Sequence, residues 1–203
     1  MITVINHDFG NIGSVTRALS YLGIEYNLTR DLLEIEKASK LILPGVGSFA
    51  AASDGFVQGE MGKLIRHLVT EKSVPIFGFC LGMQLLAQYG EEMGETNGLG
   101  LIEGRVKKLR VDSNLFAVPH MGWNDVSQNG LRMFESVPEA SCFYFVHSYE
   151  FLPEDSRVKT AIVEYGNHQI CAAVEKDHIW GAQFHPEKSQ SAGLQLLKNF
   201  EKV

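Results

Sequence analysis

Three short apolar runs in this chain stop abruptly at residues that a plain strand would not need. Leu41-Ile42-Leu43 runs into Pro44-Gly45-Val46-Gly47, Ile76-Phe77-Gly78-Phe79 into Cys80-Leu81-Gly82, and residues 179–184 into His185-Pro186-Glu187. Runs of this length, rich in branched and aromatic side chains, read as buried strands. Helical spacing fills the gaps. Ile12, Val15, Leu19 and Leu22 recur every three or four residues and stop at Gly23. Asp31 is a cap candidate for a short helix through Lys37; Met61, Leu64, Ile65, Leu68 and Val69 mark one face of another, and residues 81–88 look helical. With residues 2–6 and 25–29 as further strands, the first ninety residues alternate strand and helix. That order predicts an α/β fold built on a doubly wound, mostly parallel sheet.

The texture changes after Gly98. Residues 105–111, 142–146, 160–165, 169–174 and 179–184 are strand-like, and Tyr165-Gly166-Asn167-His168 has the form of a hairpin turn. This half is expected to add antiparallel strands to the sheet edge or to build a second small sheet. Leu194, Leu197 and Phe200 predict a closing helix. Ligands of open α/β sheets gather at the carboxyl ends of the strands, so the three strand ends are expected to converge on one site.

The 203 residues show no repeat or linker-like stretch, and a single domain over 1–203 is expected. The opening Met1-Ile2-Thr3-Val4-Ile5-Asn6 reads as a strand, not a signal peptide, and no apolar run has membrane-helix length. Eighteen basic against 24 acidic residues give a formal charge of −6, which argues against a broad nucleic-acid footprint; Lys107-Lys108-Leu109-Arg110 reads as a solvated strand face. Three cysteines without a CxxC pair fit reduced thiols in a cytoplasmic protein. No HExxH pattern accompanies the histidines, so no metal or other cofactor is expected.

Gly78-Phe79-Cys80-Leu81-Gly82 has the Gly-x-nucleophile-x-Gly form of a strand-to-helix elbow, with Cys as nucleophile. A helix N-terminus favours thiolate over thiol, and the N–H of Leu81 would face a developing oxyanion. The plain alternative is a buried structural Cys. A thiol nucleophile needs a base, and the base an orienting carboxylate. His185 and Glu187 are two apart on backbone that Pro186 keeps out of a helix interior, which puts both on one face. Gly45 and Gly47 allow a turn that aims N–H groups into a cavity, as a second half of an oxyanion hole; the bland reading is a tight loop. GxxxxGK[ST] is absent, so this is not a phosphate loop.

Cys80-Leu81-Gly82-Met83-Gln84, with His185-Pro186-Glu187 about a hundred residues on, resembles the class I (triad) glutamine amidotransferases. Pro44-Gly45-Val46-Gly47-Ser48-Phe49, Pro119-His120-Met121-Gly122-Trp123-Asn124 and Phe143-Tyr144-Phe145-Val146-His147-Ser148-Tyr149 are similar to one branch of that family, whose members hand ammonia to a separate (β/α)8-barrel cyclase. The branch usually opens with Asp-Tyr-Gly-x-Gly-Asn; here Asn6-His7-Asp8-Phe9-Gly10-Asn11 departs at three positions.

The resemblance implies glutamine hydrolysis by Cys80, His185 and Glu187, with Leu81, Val46 and Gly47 at the oxyanion hole. Val46 is the preferred second donor, because its peptide lies between two glycines. Gly45, Gln84, Glu92 and the Ser148-Tyr149 backbone are the implied glutamine contacts. Asn11, Trp123, Tyr144 and Lys188 are the interface candidates. Competing readings are a stand-alone Cys hydrolase of γ-glutamyl compounds and a non-catalytic binding module whose Cys is only packed.

Overall fold

Unbroken burial along residues 2–5 and 41–43, with successive side chains pointing to opposite faces, dictates two cores, one on each side of a sheet. In a computed structural model describing residues 1–112 and 116–203, Ile2 and Val4 pack into one apolar cluster, and Ile5 into the other. Ile42 divides from Leu41 and Leu43 in the same way. This is the period-2 rule applied to strands covered on both faces.

The elements follow in chain order: β1 (Ile2–Ile5), α1 (Ile12–Tyr21), β2 (Tyr26–Thr29), α2 (Leu32–Ile35), β3 (Leu41–Leu43), α3 (Phe49–Ala52), α4 (Glu60–Glu71), β4 (Ile76–Phe79), α5 (Leu81–Gln84), β5 (Tyr89–Gly90), β6 (Thr96–Asn97), β7 (Gly104–Lys108), β8 (His120–Ser127), β9 (Cys142–His147), β10 (Tyr149–Pro153), β11 (Lys159–Tyr165), β12 (His168–Lys176), β13 (Ile179–Ala182) and α6 (Gln190–Glu201). Among the described residues a nine-stranded sheet runs β2-β1-β3-β4-β13-β12-β11-β8-β9, and a four-stranded sheet runs β10-β7-β5-β6. The large sheet is parallel from β2 to β13 and antiparallel beyond. Both forms expected of the second half are present: strands added at the edge and a separate small sheet.

Helices α1 and α6 cover one face through Val15, Leu19, Leu196, Leu197 and Phe200. Helix α4 covers the other through Ile65, Leu68 and Val69. Asp31 caps α2 by accepting from the N–H groups of Leu33 and Glu34. Strands β5, β6, β8 and β10, the short α3 and the π-turn at Ser53–Val57 were not foreseen. Strand β8 alternates exposed and covered positions but carries Gly122, Asn124 and Asp125, which mask its pattern. The helix read over 81–88 closes at Gln84, since the chain then turns so that Gly98 and Leu99 donate back to Gln88 and Leu85.

Candidate active site

The strand ends converge as the spacing predicts. Strand β4 lies between β3 and β13, with Gly78 opposite Leu43 and Gly181, and Phe79 opposite Ala182. The N–H of Cys80 donates to Ala182 O at 2.8 Å. The nucleophile candidate is therefore tied through the backbone to the strand that leads to His185.

Cys80 itself sits at φ 50°, ψ −109°, between β4 and α5. A non-glycine residue at positive φ is strained, and such strain collects at functional turns. The turn also needs its two glycines. A Cβ on Gly82 would stand 1.9 Å from Leu43 O, and one on Gly78 2.5 Å from Gly82 O. No side chain fits at either place.

His185 and Glu187 share the extended-to-3-10 corner after β13. The imidazole Nδ1 lies 2.9 Å from Glu187 Oε1, and both side chains are buried. Nε2 has no partner of strict hydrogen-bond geometry, and it is the atom left for the thiol. Catalytic contacts in unliganded sites are commonly loose in this way. Burial works hardest against a charge on His185. The neighbouring Cys80 and the bond to Glu187 outweigh it and raise the imidazole pKa to about 9. The ring thus carries a proton at neutral pH, and Glu187 neutralises it. Ser189 Oγ donates to His185 O at 2.6 Å and accepts from the Tyr144 N–H at 3.0 Å, which locks this corner against β9.

Cys80, Leu81 and His185 line a cavity of ≈ 360 Å³ together with Gln84, Glu92, Val46, Gly47, Ser148 and Tyr149. Its walls therefore bring together most of the residues implied for catalysis and glutamine contact. Gln84 spends both amide hydrogens inside the protein, on Tyr149 O at 3.0 Å and on Gln183 Oε1 at 2.9 Å. Only its oxygen can face a ligand, so it can accept from an ammonium but cannot donate to a carboxylate. Glu92 Oε2 accepts from Ser48 Oγ and from the N–H of Phe49, at 3.0 and 2.6 Å. That fixes the carboxylate at the start of α3 and leaves Oε1 for a cation.

In this conformation both expected oxyanion donors are turned away from the cavity. The Val46 N–H does not face the cavity but donates to Phe9 O at 2.5 Å. The Leu81 N–H donates to Gly45 O at 3.3 Å, so a carbonyl lies where the negative oxygen would have to sit. Gly45 is thus on the oxyanion side and is not among the residues lining the cavity. Gly47 holds φ +105°, a backbone only glycine adopts freely.

The interface candidates lie in two places. Trp123 pairs with Tyr144 across β8 and β9, ring centroids 5.9 Å apart. Lys188 Nζ stands 5.7 Å over the Tyr144 ring, which itself lies 6.3 Å from the imidazole of His185. Trp123 is 45% exposed. Asn11 instead precedes α1, on the loop whose Phe9 holds Val46.

Sequence reasoning missed three residues. Gln183 is fully buried, and its Nε2 lies 3.7 Å from Cys80 Sγ. A polar residue closing an apolar strand was the available signal. Ser189 gave none. His7 stood out only as a departure; its Nε2–H donates to Pro44 O at 2.6 Å, and its Nδ1 accepts from the Phe9 N–H at 3.1 Å. Among the described residues no cluster of His, Cys, Asp or Glu could hold a metal ion. None of their helices is long and apolar enough to cross a membrane.

An elbow cysteine beside a buried His–Glu pair, at the carboxyl ends of two central strands of a doubly wound sheet, is the constellation of a thiol acyl-transfer enzyme. The family model for class I glutamine amidotransferases matches residues 4–203, and the chain belongs to that family. Within it, the chain is 39% identical over 205 residues to imidazole glycerol phosphate synthase subunit HisH of Pelagibacter ubique, covering 98% of each chain. It is 41% identical over 201 residues to subunit HisH 1 of Campylobacter jejuni, again covering 98% of each. The Bacillus anthracis HisH subunit matches at 40% identity over all of this chain and 95% of its own. Among solved structures, a glutamine amidotransferase covers both chains in full at TM-score 0.76 and 21% identity. PurLQS of Thermotoga maritima covers 99% of this chain and 97% of its own at TM-score 0.73 and 18% identity. At such identity these two speak for the fold alone.

Proposed function

We propose that this chain is the glutaminase subunit of imidazole glycerol phosphate synthase. The observation that carries the chemistry is the single cavity shared by Cys80 and His185, with Glu187 bonded to the far side of the imidazole. Cys80 attacks the side-chain amide carbon of glutamine as a thiolate. The C–N bond breaks as His185 hands its proton to the departing nitrogen, and ammonia leaves a γ-glutamyl thioester. Neutral His185 then takes a proton from water, whose oxygen displaces the sulfur and gives glutamate. Glu187 holds the tautomer and stabilises the imidazolium in both halves. Acid–base assistance of this kind contributes about 10²–10⁴ in rate.

The glutamine α-ammonium is assigned to Glu92 and the Gln84 oxygen. The Ser148-Tyr149 backbone forms the opposite wall. For turnover the Gly45–Val46 peptide must turn, withdrawing the Gly45 carbonyl and offering the Val46 N–H beside that of Leu81. Each such donor is worth about 10²–10³ in rate. The closed arrangement favours a chain that waits for its partner over a stand-alone hydrolase. The ammonia then passes to a separate (β/α)8-barrel cyclase, which makes imidazole glycerol phosphate and an aminoimidazole carboxamide ribonucleotide in histidine biosynthesis. Trp123, Tyr144, Lys188 and Asn11 are the assigned contacts. A cytoplasmic setting follows from this role.

The test mixes the chain with a candidate cyclase and its phosphoribulosyl-formimino substrate. Glutamine should drive synthesis with the wild-type chain and not with Cys80→Ala, while ammonium salt should drive it with either. Glutamine-driven synthesis surviving Cys80→Ala would exclude the assignment.

A further inference from the structure

Two buried histidines, His120 and His147, take no part in the proposed bond changes, yet they meet at 2.9 Å through Nδ1 of the first and Nε2 of the second. The direction of every bond around them follows from one end. Tyr149 O can only accept, and His147 Nδ1 lies 2.8 Å from it, so that nitrogen carries the hydrogen. Burial lowers the pKa of His147 to about 3, against the bond to Tyr149, with His120 and His185 nearby adding to the effect. Burial lowers His120 to about 4. Each ring therefore has one hydrogen at neutral pH. His147 Nε2 must accept, His120 Nδ1 must donate, and His120 Nε2 must accept. The donor it meets is Asn124 Nδ2, at 2.7 Å.

From Tyr149 O the chain continues inward. That carbonyl also accepts from Gln84, Gln84 donates to Gln183, and Gln183 Nε2 reaches Cys80 Sγ. Phe145 and Tyr165 stack on His120 at 4.8 and 4.2 Å, so the ring cannot turn to another partner. The outer end, Asn124, is on β8 next to the exposed Trp123. We propose that Asn124, His120 and His147 are positioning residues that set the Tyr149 carbonyl on the wall of the glutamine pocket and, through Gln84 and Gln183, the thiol of Cys80, so that contact on β8 is felt at the reacting sulfur. This rests on the glutaminase reading above.

Asn124→Asp is the discriminating variant, because a carboxylate accepts where Asn124 donates. His120 Nε2 must then carry a hydrogen, and the ring either becomes cationic or loses the hydrogen it gives to His147. Imidazole nitrogen NMR of the whole chain reads this without any turnover. The wild type should show both rings neutral and hydrogenated at Nδ1 from pH 6 to 8, and Asn124→Asp should show His120 switched or protonated. In the complex with cyclase, Asn124→Asp should raise KM for glutamine tenfold or more while ammonium-driven synthesis is unchanged. His120→Gln, which keeps a donor and an acceptor, should recover much of the loss seen in His120→Leu. Wild-type rings hydrogenated at Nε2, or a glutamine KM within twofold of wild type once Asn124→Asp has switched His120, would overturn the proposal. A wild-type complex that releases no glutamate would instead count against the glutaminase reading, and the NMR result would still judge the hydrogen-bond chain.

Discussion

The amide of Leu81 donates to the carbonyl of Gly45 across the mouth of the oxyanion site. A second bond, from the Val46 N–H to Phe9 O, holds the same peptide from behind. Both must break before the site can stabilise a tetrahedral oxygen, and each is worth about 1 kcal/mol net. We therefore predict that the chain alone hydrolyses glutamine slowly, and that cyclase with its substrate raises the rate by at least about 10²–10³, the value of a single donor, since two are regained. Glutamate release with and without the partner measures this, and equal rates would refute it.

His7 braces that resting loop through Pro44 O and the Phe9 N–H, with its ring 5.0 Å from that of Phe56. Burial lowers its pKa, against the bond to Pro44 and the charge of Asp8, so it is neutral and suits both roles. His7→Ala should raise the partner-free glutaminase rate severalfold and shrink the stimulation by cyclase. A parallel fall in both rates would show that His7 only supports the fold.

The proton on His185 sets an alkaline limit. Its pKa is raised to about 9, so the ring is charged below that value and neutral above it. Departure of ammonia needs the charged form. Glutamine turnover in the complex should fall as pH rises through about 9, while ammonium-driven synthesis should not follow the same curve. Glu187→Gln keeps the shape but removes the charge that favours imidazolium; it should move the fall to lower pH and reduce kcat by about 10²-fold or more. An unmoved profile in that variant would remove Glu187 from its assigned role.

His120 and His147 predict an acid limit on stability. Their folded pKa values, about 4 and about 3, lie below the ordinary 6.5. The unfolded chain therefore binds protons first as pH falls below about 6.5, and stability should drop with a slope of up to about 1.4 kcal/mol per pH unit per ring. The drop should level off near pH 4 for one ring and near 3 for the other. Denaturant midpoints from pH 7 to 4 would show it, and Asn124→Asp, which favours a charged His120, should flatten it.

Trp123 is 45% exposed and its ring packs on that of Tyr144, so its removal should disturb the fold by no more than about 0.5 kcal/mol. An aromatic anchor at a contact surface commonly carries about 2 kcal/mol or more. Trp123→Ala should therefore weaken cyclase binding at least tenfold in titration calorimetry with little change in Tm. Unchanged affinity would take Trp123 off the interface.

Much of this was legible in the chain because strong local signals coincide. Apolar runs closed by Gly78-Phe79-Cys80-Leu81-Gly82 and by His185-Pro186-Glu187 report both a strand and its chemistry. Strand β8 was not legible, since half of its positions face water and its glycine and acidic residues resemble a loop. The inward turn of Gly45 O was invisible too: a peptide's orientation depends on Phe9 and Leu81, which lie far off in sequence. The roles of His120 and His147 surface only when their partners are seen, because a lone buried histidine carries no spacing signal.

Cys80 and His185 owe their separation to a ladder of main-chain bonds in which Phe79 faces Ala182 and the Cys80 N–H meets Ala182 O. A slip of one residue there would displace the sulfur by about 3.3 Å relative to the ring and turn the side chains of the slipped strand to the opposite faces. Mechanical registration between two neighbouring ribbons thus does the aligning that flexible loops could not. Anyone rewiring this scaffold, by permutation or by grafting new specificity, has almost no latitude between residues 76 and 80 or 179 and 185.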